Sequence, residues 1–184
     1  MKIKDNPREF IEGTLLLLEK ELKATFLLNC LFGLIVTTYE QLDQCTGDFF
    51  KKRLFESDVS AYIPKKISKI DLSGPYDRYK EKTIKKPLVG QVDVTIENIV
   101  VIDDIKLAMN LTLKEFIRNI RNGLAHQNII ATTQSNHWEG VRIWNDNKYG
   151  IKDFEVEFKI GQLKKFAAFI GKKFIEQLPE RIQA

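Results

Sequence analysis

The stretch TLKEFIRNIRNGLAH, residues 112–126, carries the clearest helix signal in the chain and decides how the rest is read. Thr112 stands three residues before Glu115, the spacing of a capping box. There the threonine oxygen and the glutamate carboxylate each take up a backbone N–H left free at the helix start. Wound at about 100° per residue, Leu113, Phe116, Ile117, Ile120 and Leu124 group on one side. Arg118, Arg121, Asn122, Ala125 and His126 fall opposite, within an arc of roughly 140°. The segment therefore predicts an amphipathic helix ending near His126, with an apolar seam to bury and two arginines, an amide and an imidazole turned away from it. Spacing alone favours an ordinary amphipathic helix whose polar face meets water. Gly123 near the helix end costs about 1 kcal/mol relative to alanine, and Ala125 keeps the polar face low. Both permit close approach of a backbone or a second subunit. The other histidine, His137, falls in a stretch that reads as a polar loop.

Towards the N-terminus, Asn6-Pro7 supplies a cap followed by proline at the first helical position, where a missing N–H is no loss. Phe10, Thr14, Leu17, Leu18 and Leu22 recur at helical spacing. Residues 24–42 are richer still, with Phe26, Leu27, Leu31, Leu34, Ile35 and Tyr39 predicting a wide buried face. From Cys45 to about Gly90 the pattern weakens, and Ser73-Gly74-Pro75 and Lys86-Pro87 break it, so an irregular or partly helical connection is expected. Residues 92–101 suit a strand or a helix equally. Beyond the motif helix, residues 129–133 and 141–144 are strand candidates and residues 145–150 read as a turn. Phe154, Val156, Phe158 and Ile160 alternate with Glu155, Glu157 and Lys159, which predicts a strand buried on one face. Leu163, Phe166, Ala167, Ile170, Phe174 and Leu178 return to helical spacing until Pro179, and this last helix is expected to pack on the first two. The expected fold is thus mainly α: a helical bundle with a small antiparallel β-hairpin or meander between the motif helix and the C-terminal helix. One domain over residues 1–184 is expected, with 45–104 as a partly basic insertion or connection.

The 184 residues, 43% hydrophobic and 29% charged, have the composition of an ordinary folding chain, which excludes disordered and fibrous classes. A net charge of +4 is too small to identify a nucleic-acid binder by itself. The segment between Asp48 and Gly90 is locally basic, however, with Lys51, Lys52, Arg53, Lys65, Lys66, Lys69, Arg78, Lys80, Lys82, Lys85 and Lys86 outnumbering its acids. It reads either as a solvated surface or as a phosphate-attracting one. Cys30 and Cys45 lack metal-site spacing and are expected as buried, reduced thiols, so no metal site is expected. The run 24–36 is too short to span a bilayer and the first residues lack a secretory pattern, giving a cytoplasmic expectation with no membrane partner. Phosphate loops of the Walker or dinucleotide type and the HExxH zinc helix are missing. Asp103-Asp104 reads as an acidic helix start rather than a metal pair.

The six residues RNGLAH, 121–126, resemble the RNxxxH signature of HEPN domains (higher eukaryotes and prokaryotes nucleotide-binding). The segment LLNCLFGLIV, residues 27–36, is similar to the second helix of a plasmid- and defence-associated HEPN branch, and the strands and closing helix after the motif match it too. The resemblance spans most of the chain but covers 49–104 poorly. It implies a helical bundle that forms a homodimer, with two copies of the motif facing each other across a cleft. It also implies a metal-independent RNA endoribonuclease, without cofactor, acting by 2′-hydroxyl attack to leave a cyclic phosphate. On that mapping Arg121 grips the scissile phosphate, His126 transfers a proton or orients the phosphate, and Asn122 orients the motif or bonds the phosphate. Arg118 adds a phosphate contact. The residue types suit such chemistry, since histidine exchanges protons near neutral pH and arginine is always charged. An ideal helix leaves Arg121 and His126 about 140° apart, so their convergence calls for arginine's length, a frayed helix end or the partner's copy. The resemblance further implies a toxin or phage-defence role with RNA as substrate and an antitoxin or nucleotidyltransferase as partner. The alternative is a non-catalytic HEPN module that binds RNA, nucleotide or protein through the same face. Two positions depart from the family's pattern: Asn128 stands where some toxins carry a modifiable tyrosine, and Gln127 replaces a common glycine.

Overall fold

The computed structural model describes residues 6–19, 24–64, 66–69, 110–134, 137–146 and 152–179. Helix α1 (Pro7–Leu17) starts as expected, the Asn6 side chain accepting from the Glu9 N–H and Pro7 opening the first turn. Its buried line runs through Ile11, Thr14 and Leu18, with Phe10 and Leu17 only half-buried, so the packed face is rotated slightly from the one expected. Leu22 lies outside the described residues. Helix α2 (Ala24–Glu40) buries Leu28, Leu31, Leu34 and Ile35. Phe26 is a correction: it lies in the first turn of α2 and stays 49% exposed. A helix apolar around most of its circumference has more hydrophobic positions than its neighbours can cover.

After α2 the chain makes two single-turn 3₁₀ helices, Leu42–Gln44 and Phe49–Lys51, and a one-turn helix α3 (Ser57–Ser60), then enters strand β1 (Lys66–Lys69). Phe50, Leu54 and Val59 bury in the core, so this connection is part of the packed structure. Three of its basic residues are matched by acids: Lys51 with Asp48 at 2.6 Å, Lys52 with Asp58, and Lys69 with Asp153 at 2.6 Å, while Arg53 Nη1 donates to the Asn110 side-chain oxygen at 3.2 Å. The breaker signals at 73–75 and 86–87, the ambiguous 92–101 and Asp103-Asp104 lie outside the described residues.

The motif helix, α4 (Leu113–Ala125), is followed by β2 (Ile129–Gln134), β3 (His137–Asp146), β4 (Lys152–Lys159) and α5 (Ile160–Gln177). The structure is mainly helical, and the expected meander is present as β2, β3 and β4. The sheet is larger than expected, because β1 adds to it from the segment read as irregular, giving four antiparallel strands in the order β1-β4-β3-β2. Alternation and register agree: Ile67 and Ile143 both pair with Val156, and Val141 pairs with Phe158, all buried on one face. On the other face Arg142 stands opposite Glu157 and bonds it at 2.8 Å, a favourable cross-strand pair. His137 and residues 145–146, expected in a loop and a turn, belong to β3. Ile160 begins α5 rather than ending β4.

Helix α5 packs on α2 and α1, as expected from its spacing, and α4 packs between α2 and β3. Phe116 of α4 is the hinge of this arrangement. It meets Phe154 and Phe158 of β4 and Phe166 of α5, with centroids 5.7, 6.4 and 5.4 Å away. Such edge and tilted ring contacts add to the burial of the rings themselves. Cys30 and Cys45 are unpaired thiols, half-buried rather than fully buried.

Candidate functional site

The start of α4 is held twice. The capping box is complete: Thr112 Oγ1 accepts from the Glu115 N–H at 3.2 Å and the Glu115 carboxylate accepts from the Thr112 N–H at 2.8 Å. The bond from the Thr112 N–H, and after it one that the Thr112 hydroxyl donates to the same carboxylate at 2.9 Å, hold the Glu115 carboxyl below its ordinary range against the opposing effect of burial, with Arg118 adding a smaller pull. Thr112 also forms an isolated antiparallel bridge with Arg53, and the Leu113 N–H reaches the Lys52 carbonyl at 2.8 Å. Leu113, Phe116, Ile117 and Ile120 are fully buried, as the wheel requires. The buried Asn119 was not anticipated; its side-chain amide donates to the Glu115 carbonyl one turn back at 2.9 Å, which satisfies it within the helix.

The end of α4 shows what Gly123 is for. A Cβ there would lie 2.4 Å from the Trp144 carbonyl oxygen and 2.7 Å from Ile143 Cγ2, so the helix rests directly on the β3 backbone. The close approach foreseen for this glycine is made within the chain. His126 caps the helix, Gln127 follows with φ 57°, and two bonds close the end: the Gln127 N–H to the Leu124 carbonyl at 3.1 Å and the Asn128 N–H to the Gly123 carbonyl at 2.8 Å. This is a Schellman closure, whose left-handed residue is usually glycine. Gln127 thus keeps the backbone conformation for which glycine is suited. Asn128 ties the turn to β3, its carbonyl accepting from the Trp144 N–H at 3.1 Å and its side chain donating to Asp146 at 3.2 Å.

Between these anchors the polar residues face away from the seam. Arg118, Ala125 and His126 are exposed, and Arg121 and Asn122 are half-buried. Arg121 and Asn122 are joined, Nη1 donating to the Asn122 side-chain oxygen at 3.3 Å. Arg121 Nε donates to Glu40 Oε1 at 2.6 Å, an ion pair with the last residue of α2. Among the described residues no hydrogen bond joins Arg121 to His126. The single chain therefore brings together Arg121, Asn122 and Glu40 and leaves the imidazole at the helix end, in keeping with the wide angle expected on the wheel. Glu40 was not picked out from the sequence. Its one signal is a carboxylate at a helix C-terminus, where the helix dipole disfavours negative charge unless a cation is near.

A family model described as HEPN pEK499 p136 matches residues 2–181. The chain belongs to this HEPN family. Neither the curated proteins nor the solved structures compared with it give a match. In this HEPN domain the matched span takes in the segment 45–104 as well as the motif helix and the sheet that supports it. Among the described residues no helix is long and apolar enough to cross a membrane, and no group of three or more His, Cys, Asp or Glu side chains is placed to hold a metal ion.

Proposed function

We propose that this HEPN domain is a metal-independent RNA endoribonuclease whose working site is made by two copies of the chain. The observation that carries the reading is the presentation of Arg121, Asn122 and His126. They stand on the outward side of a helix whose other side is buried from Leu113 to Ile120 and whose end is fixed on β3 by Gly123 and Asn128. Arginine at such a site gathers the negative charge that builds on phosphorus during displacement. The reaction is attack of the 2′-hydroxyl on the adjacent phosphorus, forming the 2′–3′ cyclic phosphate and breaking the bond to the 5′ oxygen. The proton leaving the 2′-hydroxyl goes to a base and the departing 5′ oxygen takes one from an acid. Each chain has one imidazole on this face, so in the dimer His126 and its copy divide the two transfers. Arg118, exposed one turn before Asn122, adds a phosphate contact away from the cleavage point. A toxin or phage-defence role with an antitoxin partner follows from the same reading. Asn128, locked to β3, offers no tyrosine hydroxyl for a nucleotidyltransferase.

The test is cleavage of structured and unstructured RNA in EDTA by the purified protein and its His126→Ala variant, with analysis of the product ends. The wild type should leave cyclic phosphate and 5′-hydroxyl ends. The variant should be slower by roughly 10²- to 10⁴-fold, the range for loss of a proton-transfer group. Intact RNA with the wild type, or equal cutting by both, overturns the enzymatic reading. Binding without cutting would make the domain a non-catalytic RNA module.

A further inference from the structure

The geometry points to Glu40 as a positioning residue for Arg121, one that fixes which edge of the guanidinium is offered to an RNA phosphate; the inference rests on the ribonuclease reading above. Arginine has five N–H donors in a rigid plane, and two of its nitrogens are engaged at opposite sides. Nε donates to Glu40 Oε1 at 2.6 Å and Nη1 to the Asn122 oxygen at 3.3 Å. Two points of attachment from different directions set the orientation of a planar group, which a single one cannot. The donors left among the described contacts are those of Nη2 and one of Nη1, the terminal end of the fork.

A carboxylate bridging the two terminal nitrogens by a pair of parallel bonds would close that end to a phosphate. Glu40 instead takes the Nε side and leaves the terminal donors available. The placement also accounts for an acid at the dipole-disfavoured end of α2. The α2–α4 packing brings the two residues together across 81 positions of sequence. With side chains 36% and 43% exposed, the pair is open to solvent and contributes little to folding, so its removal should be felt in Arg121 rather than in the core.

The experiment compares Glu40→Ala and Glu40→Gln with the wild type in RNA cleavage and in a reading independent of cleavage, the hydrogen exchange of the Arg121 Nε–H followed by NMR. Glutamine keeps an oxygen that accepts from Nε; alanine does not. Expected for Glu40→Ala is a loss of kcat of roughly ten- to a hundredfold, the scale of a misplaced group, with KM and the melting temperature little changed. Glu40→Gln should recover most of the rate, and Nε–H exchange should accelerate in the alanine variant only. Faster cleavage by both variants would make Glu40 an inhibitory latch and overturn the inference, as would unchanged kcat in Glu40→Ala. If the wild type does not cut RNA, the ribonuclease reading fails on that result alone. The exchange measurement then still decides whether Glu40 holds Arg121, and unaltered exchange in Glu40→Ala refutes that too.

Discussion

Replacing Gly123 by alanine sets two effects of known size against each other. In a free helix the change stabilises by about 1 kcal/mol, because glycine loses more backbone entropy on folding. Here the new Cβ would sit 2.4 Å from the Trp144 carbonyl oxygen and 2.7 Å from Ile143 Cγ2. Ordinary carbon–oxygen contacts begin at about 3.3 Å, so the helix and strand must part by about 1 Å. Strand β3 cannot retreat alone, being paired with β2 on one side and β4 on the other. Overpacking typically costs about 1–3 kcal/mol, and a clash with central backbone belongs at the upper end. The net expectation is a loss of about 2 kcal/mol, which for a chain of this length lowers the melting temperature by roughly 4–8 °C. Gly13→Ala in α1 is the matched control, since nothing lies within 4 Å of its new Cβ. It should stabilise by up to about 1 kcal/mol. Urea denaturation followed by circular dichroism reads both. A Gly123→Ala protein as stable as the wild type or more so, with Gly13→Ala behaving as stated, would refute the claim that α4 rests on the β3 backbone.

Gln127 at φ 57° should welcome glycine. Gln127→Gly relieves about 1–2 kcal/mol of left-handed strain and gives back part of it to the unfolded chain, for a net gain of about 0.5–1 kcal/mol; a lower melting temperature would contradict this. Thr112→Ala should cost about 1 kcal/mol by removing the cap. The Glu115 carboxyl, held below its ordinary 4.5 in the folded state, contributes stability above that pH and loses it as pH falls through the lower folded value. The advantage of wild type over Glu115→Gln should accordingly shrink on acidification, and a constant difference from neutral pH downward would count against the assignment. Burial, with Asp43 adding to it, pushes the Cys45 thiol from 9.0 up to about 11. In a Cys30→Ser background its alkylation should rise with a midpoint well above 9. Its contribution to stability is present below 9.0 and fades as pH rises towards 11. A midpoint at or below 9 refutes it.

What the sequence determined by itself is local. The capping box, the seam of α4, the alternation in β4 and the stop at Pro179 are written in spacings of two to four residues, and near-neighbour geometry enforces them whatever the rest of the chain does. The same spacing put Arg118, Arg121, Asn122 and His126 on one side of one helix. Tertiary structure decided which partners those elements met. Lys66–Lys69 became a strand because β4 offered an edge on which Ile67 could bury opposite Val156, a contact between segments about 90 residues apart in the chain. Phe26 stayed exposed because neighbouring elements did not cover it, though its own hydrophobicity matches that of residues that are buried. Gly123 looked like a place where another backbone could come close, and only the fold made that backbone β3. Glu40 is a surface acid in the sequence and the partner of Arg121 in the structure, because packing of α2 on α4 sets a distance that no short-range pattern encodes.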